Sequence, residues 1–286
     1  MELSVIVVSY NAAAFLERCM ASVAAHCAGI EHEVCVVDNA STDNSAAIVR
    51  EKFPQARLIA LERNVGFAAG VNAGLKNSTG RFVLWLNPDS EILNDGIGEL
   101  VRVFASESSI GILGPKIVDP DGTVQLSCRS FPSYRTAMFN RYSMLTRLFP
   151  TNRYSHEYLQ TRDDHARRRE VDWVSGACLL HRRELSEKLR GLDEQFFMYC
   201  EDVDFCRRAH DSGWKVLYHP AMEVRHEIAG SSRSMPVRMI REHHRSMWHY
   251  YTKHFPRNPL KDIVVAGAIF GRCGLKIAAR TIRMGG

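Results

Sequence analysis

The sequence predicts an α/β fold, with a mainly parallel sheet flanked by helices and a helical appendage at the C-terminal end. Three observations predict it. Apolar, β-branched runs alternate with helix-like stretches ahead of residue 90, which is typical of βαβ units. Each of these runs leads into polar or turn residues. The last part of the sequence combines helical periodicity with a strong basic excess.

The N-terminal elements follow from the apolar runs and the stretches between them. The predicted strands span residues 3–9, 33–37, 57–61 and 82–86. The predicted helices span residues 12–26, 43–53 and 67–77. Right-handed crossovers bring the carboxyl ends of parallel strands to one edge of a sheet. We therefore expect Ser9, Asp38 and Asp89 to lie at the same edge.

The last of these strands runs directly into Asn87-Pro88-Asp89. Pro88 cannot donate to a ladder, so the strand ends there and Asp89 reaches the edge where open α/β folds bind ligands. A carboxylate at that edge, with Asn87 beside it, suits a hard divalent cation that bridges the phosphates of a nucleotide. The alternative is a turn that only caps the next helix.

Asp38 and a set of glycines also indicate a nucleotide. Asp38 can accept a hydrogen bond from a base imide or a ribose hydroxyl, or it can merely cap the following turn. Gly66, Gly70 and Gly74 recur at four-residue spacing on a predicted helix. Each glycine in a helix interior costs about 1 kcal/mol relative to alanine, so we expect a nucleotide or the neighbouring strand to approach closely. Neither a Rossmann fingerprint nor a P-loop lysine motif is present.

The second half contains a predicted strand and a carboxylate cluster. Residues 171–181 are predicted to form one strand, with a bend or close approach at Gly176. Glu201, Asp202 and Asp204 then crowd the start of a helix. Acidic residues favour a helix N-terminus, which is one explanation. Crowded carboxylates also raise one another's pKa, which suits a general base.

Several motifs together resemble the inverting family 2 glycosyltransferases of the GT-A fold. In the family's order they span residues 5–11, 37–43, 64–72, 86–90, 173–177 and 197–205. The Asn-Pro-Asp triplet stands where the family usually has Asp-x-Asp. Together with Trp-Val-Ser-Gly-Ala at 173–177, it resembles the rhamnosyltransferase branch.

The resemblance implies an inverting, metal-dependent transfer. It assigns the general base to Asp202 and leaves Glu201 as an acceptor binder or alternative base. It also implies a metal-binding histidine about two dozen residues beyond the base; His226 fits that spacing, and His219 is the weaker candidate. Asp89 and His226 would then bind Mg²⁺ or Mn²⁺ with the donor diphosphate.

The resemblance further implies the two substrates and the residues that bind them. The expected donor is dTDP-L-rhamnose, with a UDP-hexose or UDP-galactofuranose as alternative, and the acceptor is a polyprenyl-diphosphate-linked saccharide. A non-catalytic nucleotide-sugar binding subunit is the alternative outside the enzymes. The expected nucleotide-sugar-binding residues are Ser9, Tyr10, Asn11, Asp38, Asn39, Arg63, Asn64, Gly66, Asn72, Asn87 and Asp89. The expected acceptor-binding residues are Trp173, Ser175, Gly176 and Glu201, although Trp173 could equally be a core aromatic.

Charge separates the end of the sequence from the rest. Residues 238–286 contain ten Lys/Arg and two acidic residues, a net of +8, so the net of +5 for the chain leaves −3 for residues 1–237. Helices are predicted over residues 235–254 and from about 260. On the second, a basic stripe opposes an apolar face of Phe270, Ile277 and Ala278; the stripe comprises Arg272, Lys276, Arg280 and Arg283. Trp248, Tyr250 and Tyr251 suit the headgroup level of a membrane.

These features predict a domain division and a location. We expect a GT-A domain over 1–232, with a nucleotide-sugar half to about 125 and an acceptor half after it, and a basic tail over 233–286. The tail is expected to contact an anionic membrane, the alternatives being packing on its own domain or a homodimer contact. No nucleic-acid-binding motif accompanies the basic residues.

Cysteine usage and the first residues bear on the compartment. The eight cysteines include no C-x-x-C pair, so reduced thiols are expected. The sequence starts with a core strand, which leaves no room for a signal peptide. We therefore expect a cytoplasmic protein, peripheral at the inner face of the plasma membrane. The arginine-rich residues 128–170 are expected either to form an acceptor loop that contacts a lipid diphosphate or to be a solvated surface.

Overall fold

The computed structural model describes residues 1–133, 165–227 and 236–284. Most of the arginine-rich segment therefore lies outside the described residues. The strands are β1 (Leu3–Ser9), β2 (His32–Asp38), β3 (Arg57–Ala60), β4 (Phe82–Leu86), β5 (Ser90–Ile92), β6 (Ile110–Val118), β7 (Cys128–Arg129), β8 (Arg169–Glu170), β9 (Trp173–Val174), β10 (Cys178–Arg182) and β11 (Lys215–His226). The helices are α1 (Ala13–His26), α2 (Ser45–Lys52), α3 (Phe67–Lys76), α4 (Ile97–Ser106), α5 (Arg183–Leu189), α6 (Glu201–Asp211), α7 (Pro236–His254) and α8 (Pro259–Met284).

The central sheet has the order β3-β2-β1-β4-β10-β6-β11-β5, and β8 pairs with β11. The first four strands in that order are parallel, β6 and β11 are parallel to each other, and β10 lies antiparallel between the two blocks. Ser9 pairs in register with Asp38, and β4 ends beside them, so the expected meeting of strand ends is confirmed. β7 and β9 form a separate two-stranded sheet.

The strands at the centre are buried on both faces, as strands covered by helices on two sides are. Leu84 of β4 belongs to the core layer on one face of the sheet, and Trp85 belongs to the layer on the other. The glycines of α3 were expected to allow close approach of a nucleotide or of the neighbouring strand. A Cβ at Gly70 would lie 2.7 Å from the Val8 side chain, and one at Gly74 would lie 2.5 Å from Ile6. At these two positions the close neighbour is therefore β1.

The prediction of one continuous strand over 171–181 is wrong. β9 and β10 belong to different sheets, and residues 175–177 separate them. The predicted bend at Gly176 is confirmed, because a Cβ there would lie 3.2 Å from the Cβ of Asp202. The chain turns where helix α6 leaves no space for a side chain. The eight cysteines all lie in the described residues, and seven of them are buried.

Helix α7 is held to the rest of the protein by a buried ion cluster. Asp204 of α6 is fully buried and contacts three side chains: Arg208 at 2.7 Å, Lys253 at 2.8 Å and His254 at 2.7 Å. Burial alone would raise the pKa of Asp204, but the His254 hydrogen bond and the charges of Arg208 and Lys253 hold that pKa below its usual range. The carboxylate is therefore ionised at neutral pH and fixes α7 on α6.

The aromatic residues predicted to lie at a headgroup level lie elsewhere. Tyr250 and Tyr251 are buried, which contradicts that expectation. Tyr250 packs in the core layer beneath α6, and the Tyr251 hydroxyl donates to Asp262 of α8 at 2.8 Å. Trp248 packs against Tyr251 and against Phe270 of α8. Trp248 and Tyr251 therefore join α7 to α8, and protein rather than lipid covers these side chains.

The predicted face assignment of α8 also needs correction. Arg272 and Lys276 are half-buried on the side that meets α7. There the pKa of His243 and the pKa of His244 are lowered, mainly by burial and further by the charges of Arg272 and Lys276. The opposite, exposed side is uncharged from residue 263 to residue 279 and carries the most exposed large apolar side chains: Leu260, Ile263, Val264 and Leu275, at 70–78%. Among the described helices, none has an apolar stretch long enough to cross a bilayer.

The ion cluster leads to a stability prediction. Asp204→Asn is expected to lower the free energy of unfolding by about 3 kcal/mol, because it leaves buried cationic groups without their carboxylate. The folded-state pKa of Asp204 is lowered, so its contribution is present above about pH 4 and disappears as pH falls through the folded-state value.

Urea titrations followed by circular dichroism, repeated at several pH values, would measure both effects. The matched control is Asp211→Asn, which breaks an exposed pair with Arg207 on the same helix and is expected to change stability by less than about 0.5 kcal/mol. Equal effects of the two substitutions would contradict the proposed role of the cluster.

Candidate active site

One side-chain oxygen at the end of β1 and one at the end of β2 are buried without a hydrogen-bond partner among the described residues. They are the Oγ atom of Ser9 and the Oδ1 atom of Asp38. The other oxygen of Asp38 accepts the backbone N–H of Ser41 at 3.2 Å, so this residue does cap its turn as well. Native proteins seldom leave buried polar atoms unpaired, so the pair indicates where a ligand supplies the missing hydrogen bonds.

The asparagines expected around the nucleotide mostly shape the backbone. Asn39 accepts the N–H of Val65 at 2.8 Å and donates to the carbonyl of Gly66 at 3.1 Å. Asn64 accepts the N–H of Gly66 at 3.0 Å. The Asn72 side chain likewise accepts the N–H of Leu192 and donates to the carbonyl oxygen of Leu192. These side chains position the walls of the site.

Three further expected binders lie at the same edge. Asn11 has a left-handed backbone, with φ of 49°, and its side chain accepts the N–H of Thr42 at 2.8 Å. Tyr10 is half-buried, and Arg63 is exposed. Asn11 therefore joins the β1 end to the turn after β2, while Tyr10 and Arg63 stand at the rim.

The segment before α3 packs directly against the loop that leads to α6. Gly66 has φ of 91°, and a Cβ there would lie 2.3 Å from the carbonyl oxygen of Phe197. That oxygen accepts the N–H of Phe67 at 2.7 Å. Tyr199 and Cys200, which follow, both have positive φ and deliver Glu201 to the start of α6. Only glycine fits at 66, because the two loops meet through their backbones.

Asp89 and His226 lie together, as expected of a pair that shares a ligand. Asp89 Oδ1 is 3.5 Å from His226 Nε2, and the Asp89 carbonyl accepts the N–H of Glu227. Asn87 precedes the pair and anchors its strand end by donating its N–H to the Ala177 carbonyl at 2.9 Å. Among the described residues no cluster of three or more potential ligands exists. A carboxylate oxygen and an imidazole nitrogen fit Mg²⁺ or Mn²⁺ if diphosphate oxygens complete the shell.

His219 is separated from this pair. It lies seven residues earlier on β11, beyond the irregularity between Tyr218 and Glu223, and its Nε2 is 3.5 Å from Glu99 of α4. His219 therefore has a partner on α4, whereas His226 lies beside Asp89.

Asp202 is held by backbone N–H groups. One of its oxygens accepts the N–H of Gly176 at 2.9 Å, and the other accepts the N–H of Val203 at 2.8 Å. Burial raises the pKa of Asp202, while these two hydrogen bonds and the charge of Arg129 act against the rise. Asp202 can therefore remain an ionised carboxylate while its basicity is higher than that of an exposed aspartate.

Glu201 has the opposite environment. Its Oε2 atom is buried and has no partner among the described residues. Burial, together with the charge of Asp202, raises the pKa of Glu201 well above its usual range. The two neighbouring carboxylates therefore differ, because backbone N–H groups stabilise the charge of Asp202 and no such donor faces Glu201 Oε2 among the described residues. This difference favours Asp202 as the base.

The expected acceptor side is built from β7 and β9. Trp173 is only 7% exposed, and its indole N–H donates to the Ser130 carbonyl at 2.9 Å. The Arg129 guanidinium lies 5.2 Å from the centre of the indole. Trp173 therefore packs as a core aromatic, and its contact with an acceptor sugar stays a prediction. Ser175 is tied to β7 by its N–H, which donates to Ser127 at 2.8 Å.

Comparisons with known proteins agree with this geometry. Residues 4–190 match the profile described as Glycosyl transferase family 2. The chain is 34% identical over 260 residues to the N-acetylglucosaminyl-diphospho-decaprenol L-rhamnosyltransferase of Mycobacterium tuberculosis, covering 86% of this chain and 82% of that relative. The chain belongs to glycosyl transferase family 2.

Solved structures share the fold of this family 2 glycosyltransferase. S. aureus TarS 1-349 matches with a TM-score of 0.56 and 18% identity, covering 95% of this chain and 71% of that one. GalNAc-T7 with UDP, GalNAc and Mn²⁺ matches with a TM-score of 0.59 and 16% identity, covering 79% and 44%. At these identities the likeness shows the fold alone, and it confirms the predicted GT-A type α/β architecture.

The contacts of two residues in this glycosyltransferase site could not be predicted from the sequence. Gln125 contacts His226 through its side chain, although it belongs to no motif and lies 101 residues away. Phe197 contributes a carbonyl oxygen, which no pattern of side chains reveals. Arg129 was visible only as one of many arginines in its segment. Its register opposite Trp173 gives it a specific place beside Asp202.

The Gly66 contact yields a prediction with an internal control. Gly66→Ala is expected to reduce turnover about 100-fold, because the Phe197 carbonyl must move and the loop carrying Glu201 and Asp202 moves with it. Gly122 also has a positive φ, of 85°, but nothing lies within 4 Å of a Cβ there. Gly122→Ala should therefore lose only about 1–2 kcal/mol of stability from backbone strain and retain turnover.

Steady-state turnover and urea unfolding of both variants would separate strain from displacement of the loop. Wild-type turnover in folded Gly66→Ala would show that the contact does not position the carboxylates.

Proposed function

We propose that this glycosyltransferase transfers a sugar, with inversion, onto a hydroxyl of a polyprenyl-diphosphate-linked saccharide in cell-wall or surface-polysaccharide assembly. The observation that carries the proposal is the Asp202 carboxylate, which accepts the backbone N–H groups of Gly176 and Val203 beside the buried Glu201. A transferase needs such a base, whereas a nucleotide-sugar binding subunit does not. The name of the mycobacterial relative supports L-rhamnose as the sugar and a diphospho-polyprenol as the carrier. The donor is then dTDP-L-rhamnose.

The donor would lie across the carboxyl ends of β1, β2 and β4. Ser9 Oγ and Asp38 Oδ1 have unfilled hydrogen-bonding capacity for the nucleoside. The segment held by Asn39 and Asn64 forms the wall next to it. Asp89 and His226 would hold Mg²⁺ or Mn²⁺ beside the diphosphate. When bound, that ion neutralises negative charge on the leaving nucleoside diphosphate.

Asp202 would perform the proton transfer. Its carboxylate takes the proton from the acceptor hydroxyl, and the acceptor oxygen forms a bond to the anomeric carbon from the face opposite the diphosphate. The bond from that carbon to the diphosphate oxygen breaks, so the configuration inverts and the nucleoside diphosphate leaves with the electron pair. Glu201, whose pKa is raised, is suited to bind the acceptor, because when protonated it can donate a hydrogen bond while Asp202 accepts one.

The donor can be tested by thermal unfolding with a panel of nucleotide sugars, with and without Mn²⁺ or Mg²⁺. Saturating dTDP-L-rhamnose with metal is expected to stabilise the protein, by about 2.7 kcal/mol at a hundredfold excess over Kd. A larger stabilisation by a UDP-hexose or UDP-galactofuranose would identify that nucleotide sugar as the donor and would leave the proposed mechanism unchanged.

The base is tested by substitution. Asp202→Asn should keep this donor stabilisation and lose turnover about 100- to 10,000-fold. Unchanged turnover would contradict the assigned base and favour Glu201. Loss of donor stabilisation in Asp202→Asn would instead indicate a damaged fold.

We assign residues 1–232 to the transferase domain and 233–286 to a tail that binds the inner surface of the plasma membrane. The exposed, uncharged side of α8 offers apolar side chains that a monolayer can bury. The acidic residues of the tail, Glu242 and Asp262, are paired with Arg245 and Arg257. The remaining basic charge favours anionic lipid. The alternative is that a second copy of the chain covers this exposed side of α8 in a homodimer.

Flotation with phosphatidylcholine vesicles containing phosphatidylglycerol would test the tail. Ile263→Ser with Leu275→Ser is expected to weaken vesicle binding at least about tenfold, since both exposed apolar side chains are lost. The control is Ala268→Ser with Ala278→Ser on the same exposed side, which removes little apolar surface. If the first double variant still floats and sedimentation shows that the wild type is a dimer, the side is a subunit interface.

A further inference from the structure

The orientation of the Gln125 side chain is fixed by its hydrogen bonds. Its amide nitrogen donates to Asp119 Oδ1 at 2.8 Å and to the His226 carbonyl oxygen at 2.8 Å. Both partners are acceptors only, so the amide cannot be turned over without placing its oxygen against two other oxygens. The amide oxygen must therefore be the atom that faces His226 Nδ1, at 3.3 Å.

This orientation determines the tautomer of His226. An amide oxygen only accepts, so the Nδ1 atom of the imidazole must carry the hydrogen that lies between them. In the neutral ring the Nε2 atom then carries a lone pair and no hydrogen, and it lies 3.5 Å from Asp89 Oδ1. Two electron-rich atoms facing each other across that distance form a site for a cation rather than a hydrogen bond.

The backbone around Gln125 is held as firmly as its side chain. The N–H of Gln125 donates to the Ile117 carbonyl of β6 at 2.8 Å, and the N–H of Ser127 donates to the Gln125 carbonyl at 2.7 Å. The turn between β6 and Gln125 is closed by the N–H of Asp119, which donates to Thr123. The amide is therefore presented to His226 from an ordered edge of the central sheet.

We propose that Gln125 is a positioning residue that fixes His226 in its Nδ1–H tautomer and so presents Nε2, with Asp89, to the divalent cation. The hydrogen bonds run from His226 Nδ1–H to Gln125 and from Gln125 to Asp119, which leaves His226 Nε2 to face the Asp89 carboxylate. Partners that orient a metal-binding histidine in this way typically change metal affinity 10- to 100-fold when they are removed. The proposal rests on the metal site of the proposed function, and its first measurement requires no metal.

The tautomer can be read in the metal-free protein by long-range proton–nitrogen NMR of the histidine rings. The His226 signals are assigned as those lost in His226→Gln. The wild type is expected to show the Nδ1–H form at a pH where the ring is neutral. Gln125→Leu should lose the preference for that form.

Mn²⁺ binding in the presence of dTDP provides the second measurement. Gln125→Leu is expected to bind Mn²⁺ 10- to 100-fold more weakly than the wild type. Gln195→Leu, a substitution of an exposed glutamine, should bind like the wild type. An unchanged tautomer in Gln125→Leu overturns the proposal, as does a changed tautomer with unchanged Mn²⁺ affinity. If the wild type does not bind Mn²⁺ with dTDP, the metal assignment of the proposed function fails, and the NMR result alone decides whether Gln125 sets the tautomer.

Discussion

The backbone contact between Gly66 and Phe197 is the constraint on which the site depends. It joins the segment before α3 to the loop that leads to Glu201 and Asp202, with a hydrogen bond of 2.7 Å from Phe67 to the Phe197 carbonyl. Asn39 holds one side of this contact through Val65 and Gly66. Because both partners are backbone, the distance between the two segments is set by the fold and not by flexible side chains.

The three carboxylates at the start of α6 show how one short segment supports different roles. Asp204 faces α7, where cationic partners keep its pKa low, so its role is to hold the structure. Glu201 is buried without such partners, and its burial, together with the charge of Asp202, raises its pKa. Asp202 lies between these extremes, because backbone N–H groups stabilise a charge that burial disfavours. Adjacent residues on a helix point about 100° apart, which places each carboxylate in a separate environment.

The sequence predicted what depends on local pattern. Apolar runs that end in polar residues predicted the parallel strands and the meeting of Ser9 with Asp38. Roles that depend on contacts between distant residues could not be predicted, as Gln125 and His226 show across 101 positions. Tyr250 was assigned to a membrane surface from its residue type, and the sequence did not reveal that it packs in the core layer beneath α6. A pattern shows that a face is buried, but only the tertiary structure shows what buries it.

The same contacts connect the tail to the chemistry. The Ser246 hydroxyl of α7 donates to the Met198 carbonyl at 2.8 Å, one residue after Phe197 and three before Glu201. His243 of α7 packs on Tyr199, whose backbone is left-handed. Left-handed backbone at non-glycine residues persists only where its surroundings enforce it, and α7 supplies part of that enforcement here. The helix pair is therefore a structural part of the site: whatever surface α8 binds is joined through α7 to the loop that carries the base.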